Sequence, residues 1–167
     1  MVHHRKANRI KNYDYSNSGY YFVTICTKNN KHYFGDVCNG KMVLNNNGEI
    51  VDKWWNWLSE QYNYCFLDEY QIMPDHFHGI LIIDRENVGT SRNLSLPKKV
   101  KSLSELIGAF KTKSSAEIHK LGKSEFNWHR SFYDRIIRNE KELFETRKYI
   151  IQNPLKWELV KGVENNF

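Results

Sequence analysis

Residues 65–84 read Cys-Phe-Leu-Asp-Glu-Tyr-Gln-Ile-Met-Pro-Asp-His-Phe-His-Gly-Ile-Leu-Ile-Ile-Asp. Two runs rich in aromatic and β-branched residues, 65–73 and 76–84, are separated by Pro74-Asp75. Proline has no N–H to give to a ladder and Asp favours turns, so the break predicts a tight connection between antiparallel strands. Side chains alternate along a strand, which puts His76 and His78 on one face and Phe77 on the other. Two imidazoles on one face at the start of a strand supply two neighbouring metal ligands. The same pair also occurs as ordinary surface or core histidines.

Upstream, residues 20–27 (Tyr-Tyr-Phe-Val-Thr-Ile-Cys-Thr) follow a Ser-Asn-Ser-Gly turn and are apolar on both faces, which predicts a central first strand. A loop containing Phe34-Gly35 and the Asn45-Asn46-Asn47-Gly48 turn leads to a helix over 49–62. Ile50, Val51, Trp54, Trp55, Leu58 and Tyr62 form its apolar stripe, and Trp57 falls outside it. Residues 85–100 are basic and aperiodic and read as a loop. Ser102 with Glu105 gives a capping box, followed by the stripe Leu103, Leu106, Ile107 and Phe110 of a second helix that ends near Leu121-Gly122. Residues 131–138 read as a fourth strand. Asn139 with Glu142 opens a third helix over 139–153, expected to stop before Pro154 and leave a tail over 155–167. The order βαββαβ plus a helix predicts one α+β domain over 1–167. Its form is a ferredoxin-like antiparallel sheet with two helices on one face and an added C-terminal helix.

At about 100° per residue, Leu143, Phe144, Ile150 and Ile151 of the third helix cluster on one side and are expected to face the sheet. Tyr149 falls nearly opposite, with Glu142, Glu145, Thr146 and Asn153, so its hydroxyl is available; a plain surface tyrosine has the same pattern. Asn153 lies one turn from Tyr149 and could add an oxygen ligand to the histidines, although Asn before Pro is also a good helix terminator. Nitrogen and oxygen donors suit Mg²⁺ or Mn²⁺ acting on phosphate oxygens, and imidazoles also accept Zn²⁺ or Co²⁺. Such an ion can polarise a phosphodiester while a phenolate attacks phosphorus. No Walker-type phosphate loop is present.

Composition narrows the partners. The 167 residues are 40% hydrophobic and carry a net charge of +6, enough apolar content for a real core and a balance that favours a polyanion. Basic residues concentrate in the arm 1–15 (Arg5, Lys6, Arg9), in the loop 85–100 (Lys98, Lys99), on the second helix (Lys111, Lys113) and before the third (Arg138). These are the candidate contacts to DNA phosphates. Tyr13, Tyr15, Trp128 and Tyr133 lie among the charges, as in single-strand binders. The three cysteines form no CxxC pair, no apolar run reaches the roughly 20 residues of a membrane span, and no signal-peptide core is seen. A cytoplasmic protein with no membrane partner is expected.

The stretch 70–82 (Tyr-Gln-Ile-Met-Pro-Asp-His-Phe-His-Gly-Ile-Leu-Ile) resembles the HUH segment of single-tyrosine HUH transposases, in the branch called REP-associated tyrosine transposases. Residues 131–139, followed by Tyr149-Ile150-Ile151-Gln152-Asn153-Pro154, resemble that branch's tyrosine helix and its approach. Similarity extends from about Asn12 to Trp157. His129 stands where relatives often carry Gln. The resemblance implies a ferredoxin-like fold, metal binding by His76, His78 and Asn153, and Tyr149 as nucleophile. It further implies action on single-stranded or hairpin DNA, with a 5′-phosphotyrosine and a free 3′-OH as products. Both single chains and homodimers that pair one subunit's histidines with the other's tyrosine are compatible with it. Two other readings stay open from the residues themselves: a non-catalytic ferredoxin-like module that binds single-stranded nucleic acid, and a hydrolase using water as nucleophile.

Overall fold

The structure is a computed structural model, which describes residues 13–86 and 99–164, with side chains up to residue 160. The elements are β1 (Gly19–Cys26), β2 (Gly35–Cys38), β3 (Lys41–Leu44), α1 (Asn46–Gln61), β4 (Cys65–Ile72), β5 (His76–Ile83), α2 (Leu103–Lys120), β6 (Tyr133–Ile137) and α3 (Glu140–Glu164). Four strands form one antiparallel sheet in the order β4-β5-β1-β6. Setting aside the β2–β3 hairpin leaves βαββαβ, the expected α+β ferredoxin-like arrangement. No helix among the described residues is long and apolar enough to cross a membrane.

Strand alternation divides the apolar residues between two cores. Tyr21, Val23 and Ile25 of β1 and Phe77 and Leu81 of β5 point to the face covered by α1 and α2. There the Trp55 ring lies 4.5 Å from Phe77 and 5.4 Å from Phe110, centroid to centroid. Ser102 and Glu105 close the expected capping box on α2. On the opposite face Phe22, Ile80 and Ile137 pack with Ile150 of α3. The histidines belong to this second, smaller layer.

Gly79 is required where β5 crosses from His78 into the main core. A Cβ there would come within 2.8 Å of both Phe77 Cε1 and Trp55 Cζ2. Gly79→Ala is therefore expected to destabilise the fold by about 1–3 kcal/mol through overpacking. The midpoint of urea unfolding checks this, and an unchanged midpoint would contradict the packing described.

Two stretches differ from the sequence reading. Residues 28–48, read as a loop, contain a hairpin turning at Asn39-Gly40, both with positive φ (53° and 68°). That is the type I′ signature, which suits the twist of two-residue hairpins. The third helix does not stop before Pro154. It continues to Glu164 with Pro154 buried inside it. Proline removes one helical hydrogen bond, a local cost of about 3 kcal/mol. Contacts beyond it offset that cost: Trp157 packs between His32 and His76, and the Glu158 carboxylate accepts the N–H groups of Asn39 (3.0 Å) and Gly40 (2.7 Å). The overlooked hairpin thus holds the overlooked half of the helix.

Candidate active site

The site lies where α3 crosses the β5–β1 pair. Register places Thr24 and Gln71 on either side of His78, and Cys26 across from His76. Each imidazole is oriented through Nδ1. His76 Nδ1 lies 2.5 Å from Asp75 Oδ1, and His78 Nδ1 lies 2.8 Å from Thr24 Oγ1. A carboxylate only accepts, so a neutral His76 keeps its proton on Nδ1 and its lone pair on Nε2. The two rings stand 4.5 Å apart at 74°.

His78 is 4% exposed, and its Nε2 is buried without a hydrogen-bond partner among the described residues. Burial first, and the neighbouring His76 second, push its pKa down to about 3, so the ring is neutral under ordinary conditions. A buried neutral imidazole with an orphaned Nε2 and an anchored Nδ1 has the form that metal-ligating histidines take. An orphaned polar atom is otherwise costly, about 1–3 kcal/mol. The donor set therefore fits a divalent cation.

Helix α3 brings its residues over this pair at one-turn intervals. The Tyr149 ring lies 5.2 Å from the His78 ring and 6.0 Å from Phe22. Two turns on, Trp157 lies 5.7 Å from His76. Asn153 falls midway between these two contacts, on the same side of the helix, and is buried. No hydrogen bond ties its amide among the described residues. Lys156 Nζ stands over the Tyr149 ring, 5.6 Å from its centroid. The tyrosine, both histidines and the Asn153 segment thus come together within a single chain.

The helix faces the sheet differently from the wheel reading. Leu143, Thr146, Ile150, Asn153 and Trp157 turn inward, whereas Phe144 (62% exposed) and Ile151 (59%) turn to solvent. Tyr149 sits at the margin of the buried side, 42% exposed, rather than opposite it. Two polar contacts fix this rotation. Arg147 is bidentate to Asp68 at 2.8 and 2.5 Å, holding the Asp68 carboxyl below its usual range, and Arg135 donates to Thr146 Oγ1 at 2.9 Å.

The candidate DNA contacts are dispersed. Arg5, Lys6, Arg9 and Lys98 lie outside the described residues. Lys99 and Arg138 are exposed. Lys111 is committed elsewhere, its ammonium donating to the carbonyls of His129 (2.7 Å) and Arg130 (3.2 Å). Lys113 lies over the rings of Trp54 and Trp57 on the α1–α2 layer, across the sheet from the histidines. The same cluster accounts for Trp57. Neither lysine stands beside the tyrosine.

The sequence reading did not single out Thr24, Trp157 or Lys156, and it gave Arg135 no role beyond its charge. Thr24 was accessible from strand alternation. Trp157, at eight residues beyond Tyr149, needed the helix to continue through Pro154.

A Haemophilus influenzae protein described as uncharacterized is 34% identical over 165 residues, covering 94% of this chain and 92% of that one. The two belong to one family. No family model matches the chain. Among solved structures, a REP-associated tyrosine transposase bound to a REP hairpin superposes with a TM-score of 0.58 at 17% identity, over 93% of this chain and 74% of that one. The chain thus has the fold of that transposase, the fold the resemblance implied.

Proposed function

We propose that this family member is a single-tyrosine transposase that cuts and rejoins single-stranded DNA, with Tyr149 as nucleophile. The observation that carries the reading is the Tyr149 ring 5.2 Å from the buried His78 ring in the same chain. His76 Nε2, His78 Nε2 and the Asn153 side chain would hold one divalent ion, Mg²⁺ or Mn²⁺. When bound, that ion supplies Lewis-acid polarisation of a phosphodiester oxygen.

The protein's own groups do the remainder. Tyr149 Oη forms a bond to phosphorus as the P–O3′ bond breaks; the phenol's proton leaves to solvent and the departing 3′ oxygen takes one up. The products are a 5′-phosphotyrosine and a free 3′-OH, and the linkage retains the energy needed for rejoining. Asp75 and Thr24 keep the imidazoles from rotating. The Arg147–Asp68 pair and the grip of the hairpin on Glu158 hold α3 against the histidines on both sides of the tyrosine. Because these contacts lie within one chain, the mechanism proposed here calls on no residue of a second subunit.

The solved transposase is bound to a hairpin, and a hairpin with a single-stranded flank is the substrate form we assign here. The test is denaturing electrophoresis of protein incubated with such an oligonucleotide and Mn²⁺. A slow-migrating covalent band that needs the ion is expected. Cleavage without any protein-linked product would point to water as nucleophile and overturn the reading.

A further inference from the structure

Across the Phe22 ring from the tyrosine, on an edge strand of the sheet, stands an arginine with no ion-pair partner among the described residues. Arg135 of β6 pairs in register with Phe22 of β1, so both project toward α3. Its guanidinium lies 5.9 Å from the centroid of the Phe22 ring, which also meets the rings of His78 at 5.7 Å and Tyr149 at 6.0 Å. One N–H is committed, to Thr146 Oγ1. The Thr146 hydroxyl in turn donates to the Glu142 carbonyl at 2.7 Å, which leaves its lone pair aimed at the guanidinium. Thr146 is buried one turn before Tyr149, so Arg135 is anchored to the helix that carries the nucleophile.

The other guanidinium N–H groups have no partner among the described residues. The contrast is with Arg147, whose charge is met by a bidentate pair with Asp68. The ion pairs of Lys or Arg among the described residues are Lys53–Glu117 and Arg147–Asp68, and neither includes Arg135. The residue also lines a cavity of about 300 Å³ along β6, together with Tyr133, Asp134, Arg138 and Glu142. Asp134 is buried, and the Glu142 carboxylate accepts the Arg138 backbone N–H at 3.0 Å. Tyr133 presents its ring on the same face as Arg135, 46% exposed. A planar fork of donors, most of them without a partner among the described residues, anchored to the helix of the tyrosine and flanked by an exposed aromatic ring, suits a phosphodiester with a stacked base.

We propose that Arg135 binds a backbone phosphate flanking the one Tyr149 attacks, on a DNA strand that runs along β6, an edge strand of the sheet. The proposal rests on the strand-cutting function above. It assigns the path by which the substrate reaches the tyrosine.

The test measures binding by fluorescence anisotropy in EDTA, with Tyr149→Phe protein and a hairpin oligonucleotide carrying a single-stranded flank. Arg135→Met in that background is expected to weaken binding about 10-fold. It should also flatten the slope of log affinity against log salt by about 0.7, one phosphate's worth for single strands. Arg135→Lys keeps the charge and should restore the slope. A scan of neutral methylphosphonates along the flank should weaken the arginine form at one position and leave the Met form unaffected there. Melting curves establish that each variant folds, and the Lys form carries the test if the Met form does not. An unchanged slope, or identical scans for the two forms, would overturn the proposal. Because binding is read without metal or nucleophile, a failure of covalent linkage in the native protein would sink the strand-cutting reading alone.

Discussion

Tyr149→Phe is expected to lower formation of the covalent protein–DNA product by at least about 10³-fold, because it removes the only atom proposed to bond phosphorus. The substitution deletes a single oxygen. The ring keeps its edge contacts with Phe22 and His78 and the Lys156 ammonium over its face. Tyr149 is 42% exposed and no hydrogen bond holds its hydroxyl among the described residues, so stability should change by no more than about 0.5 kcal/mol. DNA affinity should stay within about twofold, since phosphate contacts and not the phenol dominate it. Parallel gel and anisotropy measurements separate the two effects. Linkage at native levels in the Phe variant would place the nucleophile elsewhere.

His78→Ala is expected to have a comparable effect by a different route. Its Nε2 is buried with no partner among the described residues, and Thr24 holds the ring so that this nitrogen stays presented. Loss of an outer residue that merely orients a ligand typically costs 10–100-fold in metal affinity. Removing the ligand itself should weaken Mn²⁺ binding by more than about 100-fold, read by isothermal titration calorimetry. The rise in melting temperature that Mn²⁺ gives the native protein should disappear with it. In the metal-free state the variant leaves space next to Phe22 but also relieves the orphaned nitrogen, so its stability should fall less than for an apolar truncation of that size. Native Mn²⁺ affinity in the variant would show that His78 is a packing residue.

The parts of the fold legible in the sequence are those where local chemistry and tertiary placement agree. The β4–β5 pair declared itself through alternation around Pro74-Asp75, and α2 through the Ser102–Glu105 capping box. The same consistency makes natural sequences foldable. The hairpin carried its own signal, Asn39-Gly40, in short strands that alternate weakly and are only half-buried. The rotation of α3 was hidden for a deeper reason. An apolar-wheel argument assumes that a helix buries its apolar side, but α3 covers a sheet face that presents His76, His78 and Thr24. The residues it buries there include Thr146 and Asn153, and it leaves Phe144 and Ile151 in solvent. Helices that cover a polar site therefore mislead the wheel in proportion to how much chemistry they cover.

Residue identities in the site were more accessible than their supports. His76, His78, Tyr149 and Asn153 follow from two short motifs. The groups that hold them come from elsewhere in the chain: Thr24 in β1, Asp68 at the irregularity in the middle of the β4–β5 pairing, Arg135 in β6, and Asn39-Gly40 in the hairpin. Their roles appear only once strand register is known. Trp157 and Lys156 were lost with the helix end, since a local rule about proline was outweighed by contacts formed more than a hundred residues away in sequence.

The central claim is that one phenol, brought to a histidine pair within a single chain, becomes joined to the 5′ side of a cut DNA strand. Mass spectrometry of tryptic peptides from the trapped product, after nuclease digestion of the DNA, tests this most directly. The account predicts a nucleotide mass on the peptide containing Tyr149, present with Mn²⁺ and missing with EDTA. A nucleotide on any other residue, or a cut strand with no modified peptide, would contradict it.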